Sequence, residues 1–160
     1  MIAETRETNT HIYFWNSVFS NFYNIEFEYN GHIFACTEQA FMWEKANYFN
    51  DTEIGDIILR TTVPIEVKRL GRQVKNFDAE KWMNVCTKYM YLVNLEKWKL
   101  MKDIILSTGD KILVEASPFD KIWGVGLAKD NNKILDDKNW LGLNLLGYVL
   151  MDVRETLKNV

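Results

Sequence analysis

Residues 25–49 read IEFEYNGHIFACTEQAFMWEKANYF, and this stretch decides the fold. Two β-prone runs, 25–29 and 32–36, flank Asn30-Gly31, a dipeptide that accepts the positive φ angles of a two-residue hairpin turn. Thr37 then offers a helix N-cap, and a helical pattern runs from Glu38 to Phe49.

Working outward from there, residues 12–15 (IYFW) read as a strand. Residues 1–11 are polar and read as a flexible N-terminal arm. Toward the C-terminus, Asp51 or Thr52 starts a short helix to about residue 60. Pro64 suits the first turn of a third helix that ends near Gly71. Asp78 caps a long helix over 79–106 with a break inside it. ILVEA at 112–116 is a short apolar run read as a strand, and residues 117–139 are rich in loop residues. A last helix covers 141–158, with Leu143, Leu146, Val149, Leu150, Val153 and Leu157 spaced three to four apart. The sum is an α+β chain: a single, mostly helical domain with a small β-sheet.

Length and composition narrow the function. The 160 residues, 48% of them apolar, suit one core. No apolar run reaches the roughly 18 residues of a membrane span. The N-terminus carries no secretory h-region. Cys36 and Cys86 form no C-x-x-C pair, and His11 and His32 lie far apart, so no metal or other cofactor is written into the chain. These features point to a cytoplasmic protein. The net charge of -3 disfavours bulk binding along DNA, although KRLGRQVK at 68–75 leaves room for one phosphorylated ligand. Six tryptophans, seven tyrosines and nine phenylalanines exceed what a small core requires, which leaves one or two to stack on a base or sugar.

Three clusters carry candidate chemistry. On the first helix, Glu38, Phe41, Met42, Lys45 and Phe49 share one face. Glu38 and Lys45 stand about 10 Å apart along the axis, too far for an i,i+4 pair and suited to the two ends of a small ligand. The plainer reading makes Glu38 a first-turn carboxylate, Lys45 a snorkelling lysine and Glu44-Lys45 an ordinary exposed dipeptide. After the last strand, LVEASPFDKIWGVG (113–126) gathers Glu115, Asp120, Trp123, Gly124 and Gly126, where the glycines allow close backbone approach or positive φ. In WLGLNLLGYVLMDVR (140–154), Gly142 and Gly147 imply close helix packing, and Asn144 is polar on an apolar helix.

The ordered set resembles the NADAR family, which includes riboflavin biosynthesis intermediates N-glycosidases. It comprises Ser20-Asn21-Phe22, Thr37-Glu38-Gln39, Lys45-Ala46, Leu70-Gly71-Arg72, Phe77-Asp78 with Trp82, Leu113-Val114-Glu115, Asp120-x-x-Trp123-Gly124-x-Gly126, Trp140-x-Gly142-x-Asn144-x-Leu146-Gly147 and Leu150-Met151-x-x-Arg154. The resemblance implies an N-glycosidase domain over 12–160. The implied reaction is hydrolysis of the bond between ribose and an amino nitrogen. Its substrate is either ADP-ribose on the guanine amino group of DNA or RNA or a ribosylamino-pyrimidine phosphate of riboflavin synthesis. Matching the motifs carries function onto Glu38, Lys45, Trp82, Asp120 and Trp123, and also onto Asn21, Arg72, Glu115 and Asn144. Many members carry Lys-Phe at the position aligned with Asn94-Leu95, and a basic residue where this chain has Cys86. Lys88, Lys97 and Lys99 are the lysines that a shifted alignment would bring there.

Cleavage of such a bond places positive charge on the ribose and needs a proton on the leaving nitrogen. Glu38 is assigned the proton transfer, since an apolar face raises a carboxyl pKa, and Asp120 the water or sugar hydroxyls, with Glu115 in reserve. Lys45 admits a Schiff-base route through the ring-opened sugar. Trp82 and Trp123 would stack on base or sugar, and Arg72 would pair with phosphate. The alternative is a module that binds ADP-ribose or a nucleotide without turnover. Such a reader has no need of Glu38, Lys45 and Asp120 together, so their joint presence favours an enzyme.

Overall fold

Asn30 and Gly31 both take positive φ, +53° and +81°, and turn the chain between β3 (Phe27–Tyr29) and β4 (His32–Phe34). The strands pair antiparallel, Phe27 opposite Phe34 and Tyr29 opposite His32. In this computed structural model, which describes residues 2–160, helix α1 (Thr37–Tyr48) follows at once. The chain is α+β and mostly helical, with one three-stranded and one two-stranded sheet. Its described residues gather into two compact units: a central one of residues 21–100 and a terminal one of residues 2–20 and 101–160.

In the central unit, α1 packs against α2 (Thr52–Leu59), α3 (Pro64–Gly71) and α4 (Ala79–Lys99). Local signals set these helices. The Asp51 carboxylate accepts from the Ile54 amide at 3.2 Å and that of Asp78 from the Lys81 amide at 3.1 Å, each capping its helix, and Pro64 opens α3. Gln39 ties three segments together. Its Oε1 accepts from the Ala35 amide at 2.7 Å, and its Nε2 donates to the carbonyls of Ile58 (2.9 Å) and Leu59 (3.3 Å). Gly71 faces the Met42 thioether so closely that a Cβ would collide with it.

The terminal unit is built on a sheet of order β1-β2-β5. Strand β2 (His11–Phe14) pairs parallel with β5 (Ile112–Glu115), His11 opposite Ile112 and Phe14 opposite Glu115. β1 (Thr5–Glu7) pairs antiparallel with β2. Residues 5–7 therefore do not fray as an arm. Three of them are enough because β2 presents a free edge of backbone donors and acceptors beside them. Tyr13, Val114, Ala116, Val125, Leu127 and Ile134 form the core, flanked by Ile112 and Trp140. Helix α5 (Lys102–Leu106) sits after a break at residues 100–101, and α6 (Leu145–Lys158) closes the chain against β5. Two short 3-10 turns, at 132–135 and 137–139, lie within the stretch expected to be loop. No helix among the described residues is long and apolar enough to cross a membrane.

Candidate active site

Glu38 lies in the first turn of α1 and is 8% exposed. Its amide donates to the Asn21 carbonyl at 3.0 Å. The Thr37 hydroxyl donates to the same carbonyl at 3.1 Å and to Asn21 Oδ1 at 3.0 Å. Thr37 is thus the first residue of the helix rather than its cap. Cys36 holds the cap position and makes no capping bond with its side chain. The reason is tertiary: the buried Asn21 side chain and carbonyl offer the hydroxyl acceptors from outside the helix. Asn21 also accepts from Asn94 Nδ2 at 3.4 Å and points its own Nδ2 at the Met90 sulfur, 3.4 Å away. Its amide, expected at the substrate, is engaged with protein and braces the first turn that carries Glu38.

Lys45 stands two turns further along the same helix and is partly buried. Burial pushes its ammonium below the usual lysine range; Glu38 opposes this and Arg72 adds to it. Glu38, Lys45 and Arg72 therefore share one electrostatic neighbourhood. Arg72 is exposed at the end of α3, and neither it nor Lys45 forms an ion pair among the described residues. The Lys45 nitrogen lies 4.4 Å from the centre of the Phe77 ring. Trp82 is stacked on Tyr89 (5.9 Å, 13°) and tilted against Phe41 (5.4 Å) and Tyr48 (5.9 Å). Expected to stack on base or sugar, it is 7% exposed within an aromatic cluster where α1 and α4 meet.

One residue departs from its sequence reading and another, Lys97, stands out in the structure. Glu44 is not on an exposed dipeptide but is 7% exposed. Burial pushes its carboxyl up, while Tyr29, Asn30 and Lys88 pull it down. Lys97 is fully buried, one turn past Asn94 on α4. Its nitrogen lies 5.0 Å from the Trp98 ring and 5.6 Å from that of Tyr23. Burial drives its ammonium down to about 7, with Cys36 opposing. Of the three lysines near the departure from the family pattern, only Lys97 is buried. Asn94 Oδ1, also buried, has no hydrogen-bond partner among the described residues. The signal was available, since Trp82, Cys86, Met90, Val93 and Lys97 recur every three to four residues along one stripe.

In the terminal unit the remaining candidates sit on one frame. The Asp120 carboxylate accepts from the amides of Ile122 (2.9 Å) and Trp123 (2.8 Å), and the Ser117 hydroxyl accepts from those of Phe119 (3.2 Å) and Asp120 (3.0 Å). The carbonyls of Lys121, Ile122, Trp123 and Gly124 accept from the amides of Leu143, Leu145, Leu146 and Asn144. The loop thereby satisfies the first amides of α6. Gly124 and Gly142 are glycines because a Cβ on either would strike backbone: that of Glu115 and Asp120 for Gly124, that of Gly124 and Lys121 for Gly142. Asn144, expected at the substrate, is fully buried. Its Oδ1 accepts from the Glu115 amide at 2.9 Å and its Nδ2 donates to the Leu113 carbonyl at 3.0 Å. It clips α6 to β5. Glu115 and Trp123 are partly buried, so the loop presents Asp120 and Trp123 on a rigid backbone.

A buried carboxylate acting on a partly buried lysine, with an exposed arginine also in reach of that lysine, suits proton transfer next to an anionic ligand. The NADAR domain profile matches residues 13–158. Protein irg-1 of Caenorhabditis elegans is 42% identical over 129 residues, covering 78% of this chain, and the chain spans 61% of that protein's length. N-glycosidase R617 of Acanthamoeba polyphaga mimivirus is 36% identical over 166 residues, covering 93% of this chain and 97% of R617. The solution structure of the E. coli protein YbiA superposes with a TM-score of 0.78 at 25% identity, covering 98% of this chain and 90% of that one. On the domain match and these relatives, the chain belongs to the NADAR family.

Proposed function

We propose that the protein is an N-glycosidase that hydrolyses the bond between a ribose carbon and an amino nitrogen. Its substrate is ADP-ribose carried on the guanine amino group of nucleic acid, or a ribosylamino-pyrimidine phosphate of riboflavin synthesis. The observation that carries this reading is the setting of Glu38, a buried carboxylate that acts electrostatically on Lys45, a lysine that Arg72 also reaches. Relatives named as N-glycosidases support the class of reaction. Both substrates carry phosphate, which gives Arg72 a partner.

Glu38 hands a proton to the leaving nitrogen while the C–N bond breaks, and water adds to the ribose carbon. The lowered pKa of Lys45 also supports a second route. The ring-opened sugar is an imine of the leaving amine. Neutral Lys45 adds at that carbon, the leaving amine departs with a proton, and water hydrolyses the new C=N bond to release the sugar.

The test incubates the pure protein, without added metal, with a guanine-ADP-ribosylated oligonucleotide and, separately, with the ribosylamino-pyrimidine phosphate. Free ADP-ribose or sugar phosphate is followed by mass spectrometry. Release from one substrate, reduced about 100- to 10,000-fold in Glu38→Gln, is expected for a general acid. A borohydride-trapped adduct on Lys45 selects the imine route, whereas full activity in Lys45→Arg rejects it. Release from neither substrate, with tight ADP-ribose binding by calorimetry, would make the protein a binding module instead.

A further inference from the structure

Phe77 is 44% exposed, although it belongs to the aromatic group around α1. Its ring lies 5.5 Å from that of Phe49 on one side and 4.4 Å from the Lys45 nitrogen on another. The backbone on either side is pinned. The Lys75 amide donates to Asp51 Oδ2 at 2.9 Å, Asn76 takes the left-handed conformation at φ +61°, and Asp78 caps α4 through the Lys81 amide. A left-handed asparagine between two anchors fixes the direction in which the next side chain leaves the chain. From this anchored segment the ring lies against Lys45. Lys45 makes no ion pair among the described residues, and the Phe77 π face stands 4.4 Å from its nitrogen, where it adds to the attraction of Glu38 in stabilising the ammonium.

We propose that Phe77 is a positioning residue for Lys45: its ring caps the ammonium, holds the nitrogen in place in the ligand-free protein and favours its protonated form. The charged groups facing Lys45 are Glu38, on the same helix, and Arg72, at the end of α3. From α4 come Trp82 and the phenol of Tyr89, both against Tyr48 of α1. The ring works against burial and Arg72 and on the side of Glu38. Any ligand group that takes the place of the ring, or draws Lys45 away from it, releases a more readily deprotonated amine. This use of Lys45 rests on the function proposed above, but the capping itself needs no substrate to be measured.

The experiment is competitive pulse acetylation of the whole protein at a series of pH values. The Lys45 peptide is quantified by mass spectrometry in the natural protein and in Phe77→Leu, Phe77→Tyr and Phe77→Trp. Tyrosine keeps the π face, tryptophan strengthens it and leucine removes it. Lys45 is expected to titrate about half a pH unit lower in Phe77→Leu, unchanged in Phe77→Tyr and higher in Phe77→Trp. A purely structural role for Phe77 would not produce that order. Coincident Lys45 titrations in all four proteins overturn the proposal, and if leucine fails to fold, the tryptophan and tyrosine variants still decide it. Absence of turnover on either substrate in the natural protein would instead sink the proposed reaction and leave this ordering standing.

Discussion

Glu44 and Lys45 are neighbours in the chain, and each titrates away from its ordinary value for the same reason. Burial opposes charge on both, so the carboxyl is pushed up and the ammonium down. Glu44 keeps partners that compensate in part: its Oε1 accepts from Asn30 Nδ2 at 3.4 Å, and Tyr29 and Lys88 also favour its charged form. The net displacement is upward from 4.5. The native state then holds a proton over a pH window in which the unfolded chain has lost it. Stability from this group is greatest below the unfolded value and falls as pH rises through the folded one. Glu44→Gln removes that dependence while keeping an acceptor for Asn30 and Tyr29. Thermal midpoints at pH 4.5, 6 and 7.5 should show the glutamine variant gaining on the natural protein as pH rises. A variant that falls steadily behind over the same range would show that the ionised carboxylate is the stabilising form. None of this was legible from the dipeptide, because a Glu-Lys pair reads as solvated until the partners across the hairpin are known.

The elements divide by whether their cause is local. The hairpin at Asn30-Gly31, the caps at Asp51 and Asp78 and the opening proline of α3 are set by residues within a few positions, and each was read correctly from the sequence. Elements that depend on a distant partner were not. Thr37 looks like a cap until Asn21 draws its hydroxyl away, and β1 has no apolar alternation to announce it. The start of α6 is the clearest case. Apolar spacing alone runs the helix back to residue 141, but Asn144 takes φ +53° and commits its amide to Leu113 and Glu115, so the helix begins at Leu145. Close helix packing holds for Gly147 but not for Gly142, which lies in the loop before α6 against the backbone of Gly124 and Lys121. A Cβ on Gly147 would run into the Leu113 carbonyl, and that strand is the one Asn144 holds. Asn144→Ala leaves the part-buried Glu115 amide and the buried Leu113 carbonyl of β5 without these partners and places alanine in the left-handed region. A loss of about 3 kcal/mol is expected from these groups, read as a lower denaturant midpoint with faster hydrogen exchange at the Glu115 amide. A loss below about 1 kcal/mol would mean that water replaces the clip.

For the molecule as a whole, Lys97 sets the behaviour of stability around neutral pH, and it does so from a position that composition hides. Net charge is only -3, so general repulsion is small. Asp51, whose carboxyl is held below its usual range chiefly by the Lys75 amide, supplies stability that is lost only as pH falls into the acid range. Lys97 acts in the opposite range. Its native ammonium titrates at about 7 against 10.5 for an ordinary lysine. Between those values the unfolded chain binds a proton that the native protein does not, so stability rises with pH across that interval. Below about 7 the lysine is charged in both states and the cost of burying it is constant and at its largest. Lys97→Met fills the same space without a charge and is expected to be the more stable protein at pH 6. Its advantage should shrink by about 2 kcal/mol between pH 7 and pH 9 as the natural lysine sheds its proton. A constant gap between the two proteins over that range would mean that Lys97 stays charged when folded, held by partners strong enough to cancel its burial. A shrinking gap would instead identify a buried amine kept at a cost to stability, a cost that natural sequences accept where a group serves the chemistry of a site. The same variant then carries the functional question. If Lys97→Met is the more stable protein and yet turns over neither N-riboside, the lysine is kept for the reaction and not for the fold.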